Sequence, residues 1–358
     1  MAITAAVAFP QQQTEIQKLP QFKYIDSIRW LPALSPFQKS IITASFNTDT
    51  NTPSLETHSF NPSETLNLTL LSSWIPSSRI SCLTSTSSIT AAATFSGSLH
   101  IFPTASQESL NPKISVAGNR DFHVGPIRGV DVMEGGSEVV SVGEDGRVNL
   151  VRVLDGGKMG NGNFKSVYDG NGLVSYSAVK WASSTEFVTG GVGFGIQWWD
   201  LRRPNSAVAH FKGIWDQGRT TSGIIHSIDI HPSRKHTCLA GGSSGTVFAW
   251  DIRWPQQSIV LSGIGTNDTT QSLSESDVWE VKYDCYTKSS SSNISSSRIL
   301  PAMICSEDGI LAVIEQGEEP IELLAEPCAI NSFDIDRQNP SDVICSLEWE
   351  SIAILSRP

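Results

Sequence analysis

Three histidines in one stretch, at His226, His231 and His236, are the residues of this sequence best suited to chemistry. Histidine is a common metal ligand and the usual general base, so such a group raises the question of a metal or acid–base site. The spacing is five residues each time, with Pro232 in between, which does not place the rings on one face of a helix. No acidic residue completes a ligand set at a suitable spacing. We therefore expect surface histidines or histidines that bridge neighbouring structural units, with no metal, no cofactor and no catalytic residue.

Two further motifs combine an aromatic residue, a carboxylate and a guanidinium group. They are Trp199-Asp200-Leu201-Arg202 and Trp250-Asp251-Ile252-Arg253. An arginine in this place can offer charge-assisted hydrogen bonds to a partner, so Arg202 and Arg253 are candidates for protein binding. In the structural interpretation, each tryptophan packs between neighbouring units, each aspartate satisfies a turn and each arginine begins the next connection.

Other signatures of catalysis are missing from the sequence. It has no Gly-x-Ser-x-Gly element and no glycine-rich loop that would cradle a phosphate at the start of a helix. The six cysteines are scattered and include no Cys-x-x-Cys pair, so neither a disulfide framework nor a zinc site is indicated. We interpret them as buried, reduced thiols of an intracellular protein.

Charge and composition argue against several classes of function. The net charge is −11 and no cluster of Lys and Arg occurs, which disfavours direct binding to nucleic acid or to an anionic membrane. Apolar residues make up 39% and charged residues 17% of the chain, a mixture typical of many short strands joined by polar turns. No stretch approaches the roughly 18 apolar residues of a membrane span, and residues 1–10 lack the basic segment of a signal peptide.

An internal repeat accounts for the elements that would position these residues. The segments FVTGGVGFGIQWWDLRRP (residues 187–204) and CLAGGSSGTVFAWDIRWP (residues 238–255) share the order strand, glycine turn, strand, Trp-Asp-x-Arg and proline. With weaker copies at residues 91–102, 139–152 and 302–314, the turn glycines fall at Gly97, Gly146, Gly195, Gly245 and Gly309. Glycine supplies the positive φ that a tight hairpin turn needs.

A short strand with alternating apolar and polar residues precedes each of these hairpins. Examples are Ile127–Val132, Tyr176–Trp181, Ile225–Ile230 and Val278–Tyr283. A first unit from Tyr24 and a last unit from Ile330 bring the count to seven, with six or eight as the alternatives. The last unit has only three strands, so we predict that Glu15–Leu19 supplies its fourth strand and closes a ring.

Units of this shape resemble the WD40 repeat family, although only two of the seven carry the Trp-Asp pair. The resemblance implies an all-β fold, a seven-bladed WD40-type β-propeller closed by an N-terminal strand that completes the last blade. We expect residues 1–13 to be a flexible extension and residues 14–358 to be one propeller. Insertions near residues 266–276 and 287–298 are expected to be disordered, since their composition cannot bury a core, and their phosphorylation is a hypothesis.

A narrower resemblance follows from the order of the units. The segments at residues 141–150, 277–281, 305–309 and 329–335 are similar, in this order, to those of the 43-kilodalton WD-repeat nucleoporins. That family belongs to the Y-shaped outer-ring complex of the nuclear pore. The resemblance spans residues 15–356 and implies a location at the nuclear pore complex in the nuclear envelope.

The function implied by this family is a non-catalytic scaffold that supports pore assembly and the transport of protein and mRNA. The implied partners are other outer-ring nucleoporins, including an α-solenoid nucleoporin of the short arm. An alternative stays open, because in another group of WD40 proteins the Trp-Asp-x-Arg box docks on the adaptor of a cullin-based ubiquitin ligase. In that case Arg202 and Arg253 would belong to a substrate receptor.

Overall fold

The chain folds into seven antiparallel sheets of four strands each, seen in a computed structural model. The structure describes residues 14–35, 38–61, 67–153, 164–193, 195–203, 205–212, 223–254, 258–262, 273–287 and 299–358. The extension expected at residues 1–13 lies outside the described residues, as do residues 266–272 and 288–298 of the expected insertions.

The strands are numbered in chain order, and each sheet is one blade. The first strand, β1 (Glu15–Pro20), precedes blade 1. Blade 1 holds β2 (Tyr24–Ser35), β3 (Gln38–Asn47), β4 (Thr52–Phe60) and β5 (Thr69–Trp74); blade 2 holds β6 (Ile80–Ser85), β7 (Ile89–Thr94), β8 (Leu99–Pro103) and β9 (Ile114–Val116); blade 3 holds β10 (Ile127–Val132), β11 (Glu138–Gly143), β12 (Arg147–Arg152) and β13 (Phe164–Asp169); blade 4 holds β14 (Tyr176–Trp181), β15 (Glu186–Gly191), β16 (Gly195–Asp200) and β17 (Ala209–Lys212); blade 5 holds β18 (Ile225–Ile230), β19 (Thr237–Gly242), β20 (Val247–Asp251) and β21 (Ser258–Ser262); blade 6 holds β22 (Val278–Tyr283), β23 (Ala302–Ser306), β24 (Ile310–Ile314) and β25 (Ile321–Ala325); blade 7 holds β26 (Ile330–Ile335), β27 (Asp342–Leu347) and β28 (Ser351–Ser356).

The ring closes through β1, which pairs antiparallel with β28 as the fourth strand of blade 7. The register runs from Glu15 opposite Ser356 to Pro20 opposite Ser351. Closure covers the edge that β28 would otherwise present to solvent. The predicted count of seven blades and the predicted closing strand are both confirmed.

The apolar cores lie between blades rather than within them. Seven hydrophobic clusters are present among the described residues, and each combines side chains of two neighbouring blades. The cluster between blades 7 and 1 contains Ile25, Trp30, Ile344 and Ile354, so it seals the point where the two ends of the ring meet. The alternating direction of side chains along each strand produces this arrangement, because successive side chains point to opposite faces of the blade and so towards the two neighbouring blades.

The innermost strand of every blade carries the same irregularity. A β-bulge follows its first residue in blades 2 to 7, as between Ile127 and Gly129 in blade 3, and follows its second residue, Ile25, in blade 1. A bulge adds local twist and changes the direction of the side chains that follow it. The inner strands therefore present equivalent positions to the central axis in all seven blades.

The hairpin glycines fall at the predicted turns in four of five cases. Gly97, Gly146, Gly245 and Gly309 all have positive φ. The prediction for Gly195 is wrong, since Gly195 begins β16 and the residue with positive φ is Gly193. Aligning the Trp-Asp pairs places Gly193 opposite Ser244, which also has positive φ, so the turn lies two residues before Gly195.

The alternation of strand direction gives the ring two distinct faces. We call the upper face the one that carries the second-to-third-strand turns and the connections from each outer strand to the next blade. The lower face carries the first-to-second and third-to-fourth connections. This distinction decides which loops can reach one partner together.

Candidate protein-interaction site

A central channel with a volume of about 980 Å³ runs between the seven inner strands. It is lined by the fifth residue of the inner strand in blades 2 to 7 and by the sixth residue in blade 1, where β2 begins one residue earlier. We call this set the channel ring. In blade order from blade 1, its members are Arg29, Thr84, Asp131, Lys180, Asp229, Lys282 and Asp334. Charge alternates around the ring from blade 3 to blade 1. Strict alternation cannot close on an odd number of blades, and the neutral Thr84 of blade 2 removes the conflict.

Ion pairs between blades use these channel charges. The Lys180 ammonium lies 3.5 Å from Asp131 and 3.8 Å from Asp229, so one cation serves the blades on either side. Lys282 lies 2.7 Å from Asp334. The Arg29 guanidinium lies 2.8 Å from Glu280, two positions before Lys282 on the same inner strand. These charges neutralise one another and leave no excess of one sign in the channel ring.

The carboxylates of the ring also bind the backbone of the next blade. Asp131 accepts the N–H of Trp181 at 2.8 Å, and Asp334 accepts the N–H of Trp30 at 2.9 Å. Burial opposes ionisation of Asp334, but Lys282 and Arg29 outweigh it and hold the pKa of this carboxyl below its ordinary value. The pKa of Lys180 is raised, chiefly by Asp131. The channel residues therefore bind the blades to one another, which rigidifies the disc.

Acid should destabilise this protein in two stages. The pKa values of His100, His226 and His231 are lowered, chiefly by burial. The unfolded chain takes up these protons first, so stability present above about pH 6.5 is lost as the pH falls below it. For Glu56, hydrogen bonds outweigh burial and lower the pKa to about 2, which adds a second loss between about pH 4.5 and pH 2. Thermal midpoints measured from pH 8 to pH 3 should fall first below about pH 6.5 and again below about pH 4.5. A constant midpoint between pH 7 and pH 5 would contradict the histidine contribution.

Both Trp-Asp-x-Arg boxes end the third strand of a blade, and their arginines lie in connections on the lower face. Trp199 is buried in the cluster between blades 3 and 4, and its indole N–H donates to Thr189 at 2.9 Å. Trp250 is buried between blades 4 and 5, with its ring centroid 6.3 Å from that of Trp198. The two tryptophans therefore occupy equivalent places, each facing the preceding blade.

Each box arginine is held by the aspartate of its own box. Asp200 accepts the backbone N–H of Arg202 at 2.9 Å and its Nε–H at 2.8 Å. Asp251 accepts the same two groups of Arg253, both at 2.9 Å. The arginine side chains nevertheless remain 65% and 57% exposed. They are pre-oriented on one face and accessible to a protein.

The three histidines singled out by the sequence do not come together. His226 of blade 5 lies 2.9 Å from Asp277 and its ring is 4.7 Å from that of Trp279, both next to or in blade 6. His231 is buried with its ring 5.0 Å from Tyr283, and His236 is exposed. The expectation of surface or bridging histidines is confirmed. Among the described residues, no group of three or more His, Cys, Asp or Glu side chains could hold a metal ion.

A Ser–His–Asp arrangement in blade 3 escaped the sequence analysis. His123 lies 3.0 Å from the Ser141 hydroxyl through Nε2 and 3.1 Å from the Asp145 carboxylate through Nδ1. Hydrolases use these groups at these distances, with the hydroxyl as nucleophile. Here the side chain of His123 and the whole of Ser141 have no exposed area, so no substrate can reach the hydroxyl. The signal was weak because the three residues are spread over 23 positions that match no local motif.

This network instead ties an upper-face connection to its blade. Asp145 also accepts the backbone N–H of Val124 at 2.9 Å, and Asn149 donates to the carbonyl oxygen of Phe122 at 2.7 Å. Burial raises the pKa of Asp145, but the hydrogen bonds from His123 and Val124 outweigh it and hold the pKa below its ordinary value.

Replacing Asp145 should therefore cost stability. In Asp145→Ala the buried His123 ring and two backbone N–H groups lose their acceptor, which should cost about 2 kcal/mol of unfolding free energy. Chemical denaturation checks this value. Asp121→Ala is the matched control, since Asp121 is exposed in the same connection, and an equal effect of both changes would refute the proposed importance of the network.

Four of the six cysteines follow the prediction of buried thiols, and Cys82 is only partly buried. All six are free thiols, and Cys238, Cys305, Cys328 and Cys345 are buried. Cys285 is exposed, so the prediction that the thiols are buried is wrong there, because Cys285 follows the end of β22 in a turn. No helix formed by the described residues is long and apolar enough to cross a membrane.

Exposed apolar side chains concentrate on the upper face. Twelve large hydrophobic side chains are exposed among the described residues, and seven of them lie in upper-face turns and connections. These seven are Phe22, Ile75, Phe95, Val124, Leu173, Val192 and Trp349. Val208 and Trp254 lie in connections of the lower face, and the other three are on outer strands. The upper face therefore exposes more large apolar side chains than the lower face does.

Seven four-stranded blades, inter-blade cores and Trp-Asp pairs at the ends of third strands define a WD-repeat β-propeller. No family model matches the chain. The chain is 57% identical over 366 residues to the nuclear pore complex protein NUP43 of Arabidopsis thaliana, covering 97% of this chain and 99% of that protein.

More distant relatives carry the same description. The nucleoporin Nup43 of Mus musculus is 27% identical over 147 residues, which cover 41% of this chain and 33% of the mouse protein. The nuclear pore complex protein nup43 of Dictyostelium discoideum is 29% identical over 216 residues, covering 58% and 43% respectively. The chain belongs to the Nup43 family of nucleoporins and is a component of the nuclear pore complex.

Proposed function

We propose that this protein is a non-catalytic scaffold subunit of the Y-shaped outer-ring complex of the nuclear pore. It supports pore assembly and the transport of protein and mRNA through contacts with other outer-ring nucleoporins. One of these is an α-solenoid nucleoporin of the short arm. The protein makes these contacts without binding nucleic acid directly and without inserting into the membrane.

The observation that carries this proposal is the likeness to NUP43 of Arabidopsis thaliana over nearly the full length of both chains. The structure supports it physically, since the titratable side chains of the channel ring bind blades together. The Ser141 hydroxyl is fully buried. A rigid disc with two faces and a rim can hold several partners in fixed relative positions. The net charge of −11 disfavours direct contact with nucleic acid.

Affinity purification of the tagged full-length chain tests the proposal. Stoichiometric recovery of the other outer-ring nucleoporins, together with fluorescence of a tagged copy at the nuclear rim, is the expected result. Recovery of the chain without any of them would overturn it. Recovery of peripheral pore proteins alone would overturn the outer-ring assignment while leaving the location at the pore intact.

A second function is favoured by one observation, the exposure of both box arginines on the lower face. In that proposal the chain is a substrate receptor of a cullin-based ubiquitin ligase, and Arg202 and Arg253 contact the adaptor. The close contact of each arginine with its own aspartate supports the structural interpretation instead.

The double change Arg202→Ala and Arg253→Ala separates the two functions. We expect unchanged recovery of nucleoporins and little change in the unfolding free energy, because both ion pairs are at the surface. Quantitative mass spectrometry of the purified variant measures the recovery. If the wild-type chain recovers a cullin adaptor and the double variant does not, the receptor function is favoured.

A further inference from the structure

The two most exposed aromatic side chains of the upper face lie in two adjoining turns at the point of ring closure. Phe22 stands between β1 and β2 and is 81% exposed, and Trp349 stands between β27 and β28 and is 65% exposed. Their turns are joined directly, since the backbone N–H of Gln21 donates to the carbonyl oxygen of Glu350 at 2.7 Å. We call Phe22, Trp349 and the flanking Glu348 and Glu350 the closure patch.

The backbone of this patch adopts an unfavourable conformation. Phe22 has φ of 56° and Glu350 has φ of 56°, which is the left-handed region that bulky residues rarely adopt. Each such residue destabilises the fold, and the strain persists only where the surrounding structure imposes it. In the chain this strain holds a phenylalanine in solvent, where it contributes nothing to the core. Strain of this kind, combined with exposed aromatic rings, is characteristic of a recognition surface.

The charge around the aromatic rings is negative. Glu348 and Glu350 flank Trp349 in the sequence, and neither has a lysine or arginine within ion-pair distance in the described part of the chain. The nearby lysines are engaged elsewhere, because Lys18 and Lys23 lie 2.6 Å from Glu326 and from Glu56. The patch therefore combines two exposed aromatic rings with two carboxylates that have no cationic partner among the described residues, one of which, Glu348, also accepts the backbone N–H of Ala329 at 3.4 Å.

This charge decides among the possible occupants. A second copy of the chain would bring two acidic borders together, and like charges at an interface cost several kcal/mol. An anionic membrane surface would be repelled for the same reason. A protein with an apolar pocket bordered by lysine or arginine would match both the rings and the carboxylates.

We infer that the closure patch is a docking surface for a partner protein of the pore, which receives Phe22 and Trp349 in an apolar pocket with a basic border. This inference rests on the proposed function, because the partner protein is expected to be another subunit of the assembly that contains the chain. The two rings supply the buried apolar contact, and Glu348 and Glu350 pair with the basic border. The closing strand β1 thus serves recognition as well as ring closure, since it leads into Phe22.

The test compares two double variants of the tagged full-length protein in cells that lack the endogenous copy. Phe22→Ser with Trp349→Ser removes the rings of the closure patch. Leu173→Ser with Val192→Ser is the matched control, because these side chains are exposed on the same face and their turns are joined by a backbone hydrogen bond. Thermal unfolding of both purified variants verifies that the propeller is intact.

The expected result is that the closure-patch variant recovers at least one direct nucleoporin partner about tenfold less efficiently or worse, while the control recovers it normally. A benzophenone amino acid in place of Trp349 should cross-link to that same partner, on a peptide with apolar side chains next to lysine or arginine. Glu348→Lys with Glu350→Lys should weaken the same contact without changing the fold.

Normal recovery of every partner by the closure-patch variant would overturn the inference, and so would cross-links to an acidic segment, to lipid or to another copy of the chain. Equal losses in the variant and the control would also overturn it. Failure of the wild-type chain to recover outer-ring nucleoporins would refute the proposed function instead. The purification of the wild-type chain reveals this outcome before any variant is compared with it.

Discussion

Replacing Glu280 by Gln should lower the unfolding free energy by about 3–5 kcal/mol, one of the two largest effects expected in this molecule. Glu280 is only 9% exposed and lies on the inner strand of blade 6. Its carboxylate accepts the Ser332 hydroxyl at 2.9 Å and the backbone N–H of Phe333 at 3.0 Å, both in blade 7. It also lies 2.8 Å from Arg29 of blade 1. One side chain therefore connects three consecutive blades around the point of closure.

The physical reason for the size of this effect is the charge left behind. Glutamine keeps the shape of the side chain but cannot neutralise Arg29, whose pKa is raised by Glu280 and Asp334 against the opposing effect of burial. Removing one member of a buried ionic network leaves an uncompensated charge, which costs more than the intact pair contributes. With an unfolding entropy of about 2.1 cal/mol/K per residue, the thermal midpoint should fall by about 4–7 °C.

Calorimetry of the two purified proteins measures this change, and Glu138→Gln is the matched control. Glu138 pairs with Arg152 at 2.9 Å, but the arginine is 70% exposed, so this pair should contribute less than about 1 kcal/mol. A drop no larger than that of the control would show that the channel network contributes nothing to the stability of the ring.

The alternating channel ring was present in the sequence but was not recognised there. Once the inner strands were aligned, Asp131, Lys180, Asp229 and Lys282 occupied the same position of successive units. The periodicity that predicted the strands also fixes this position, because all inner strands share one register and one bulge. The fold could therefore be predicted from local patterns, and the channel ring could have been added by comparing the units column by column.

The closure patch could not have been found in this way. Phe22 and Trp349 are separated by more than three hundred residues, and their turns adjoin only because β1 completes blade 7. Their exposure depends on two turns with positive φ at Phe22 and Glu350, and neither turn carries the glycine that announces such a conformation in the sequence. The Ser–His–Asp arrangement was hidden for a similar reason, since a connection, a strand and a turn contribute one residue each.

Deleting residues 1–20 should have an even larger effect than the change at Glu280. The deletion removes β1, which pairs with β28 over six positions from Glu15 to Pro20. It also removes Leu19 from the cluster between blades 7 and 1, and the ion pair of Lys18 with Glu326. At about 1 kcal/mol for each hydrogen bond, the ladder alone contributes on the order of 5 kcal/mol, and the lost apolar contacts of Leu19 add to this. The exposed edge of β28 would also promote association between chains.

Deletion of residues 1–13 is the control, because the expected extension ends before β1 begins. This shorter chain should remain monomeric with an unchanged thermal midpoint, whereas the longer deletion should aggregate or melt many degrees lower in light scattering and calorimetry. A synthetic peptide of residues 14–20 should restore part of the lost stability by adding a strand to the open edge. A monomeric, fully stable chain after deletion of residues 1–20 would mean that β28 needs no partner, and that closure depends on the apolar contacts of Trp30 and Ile344 alone.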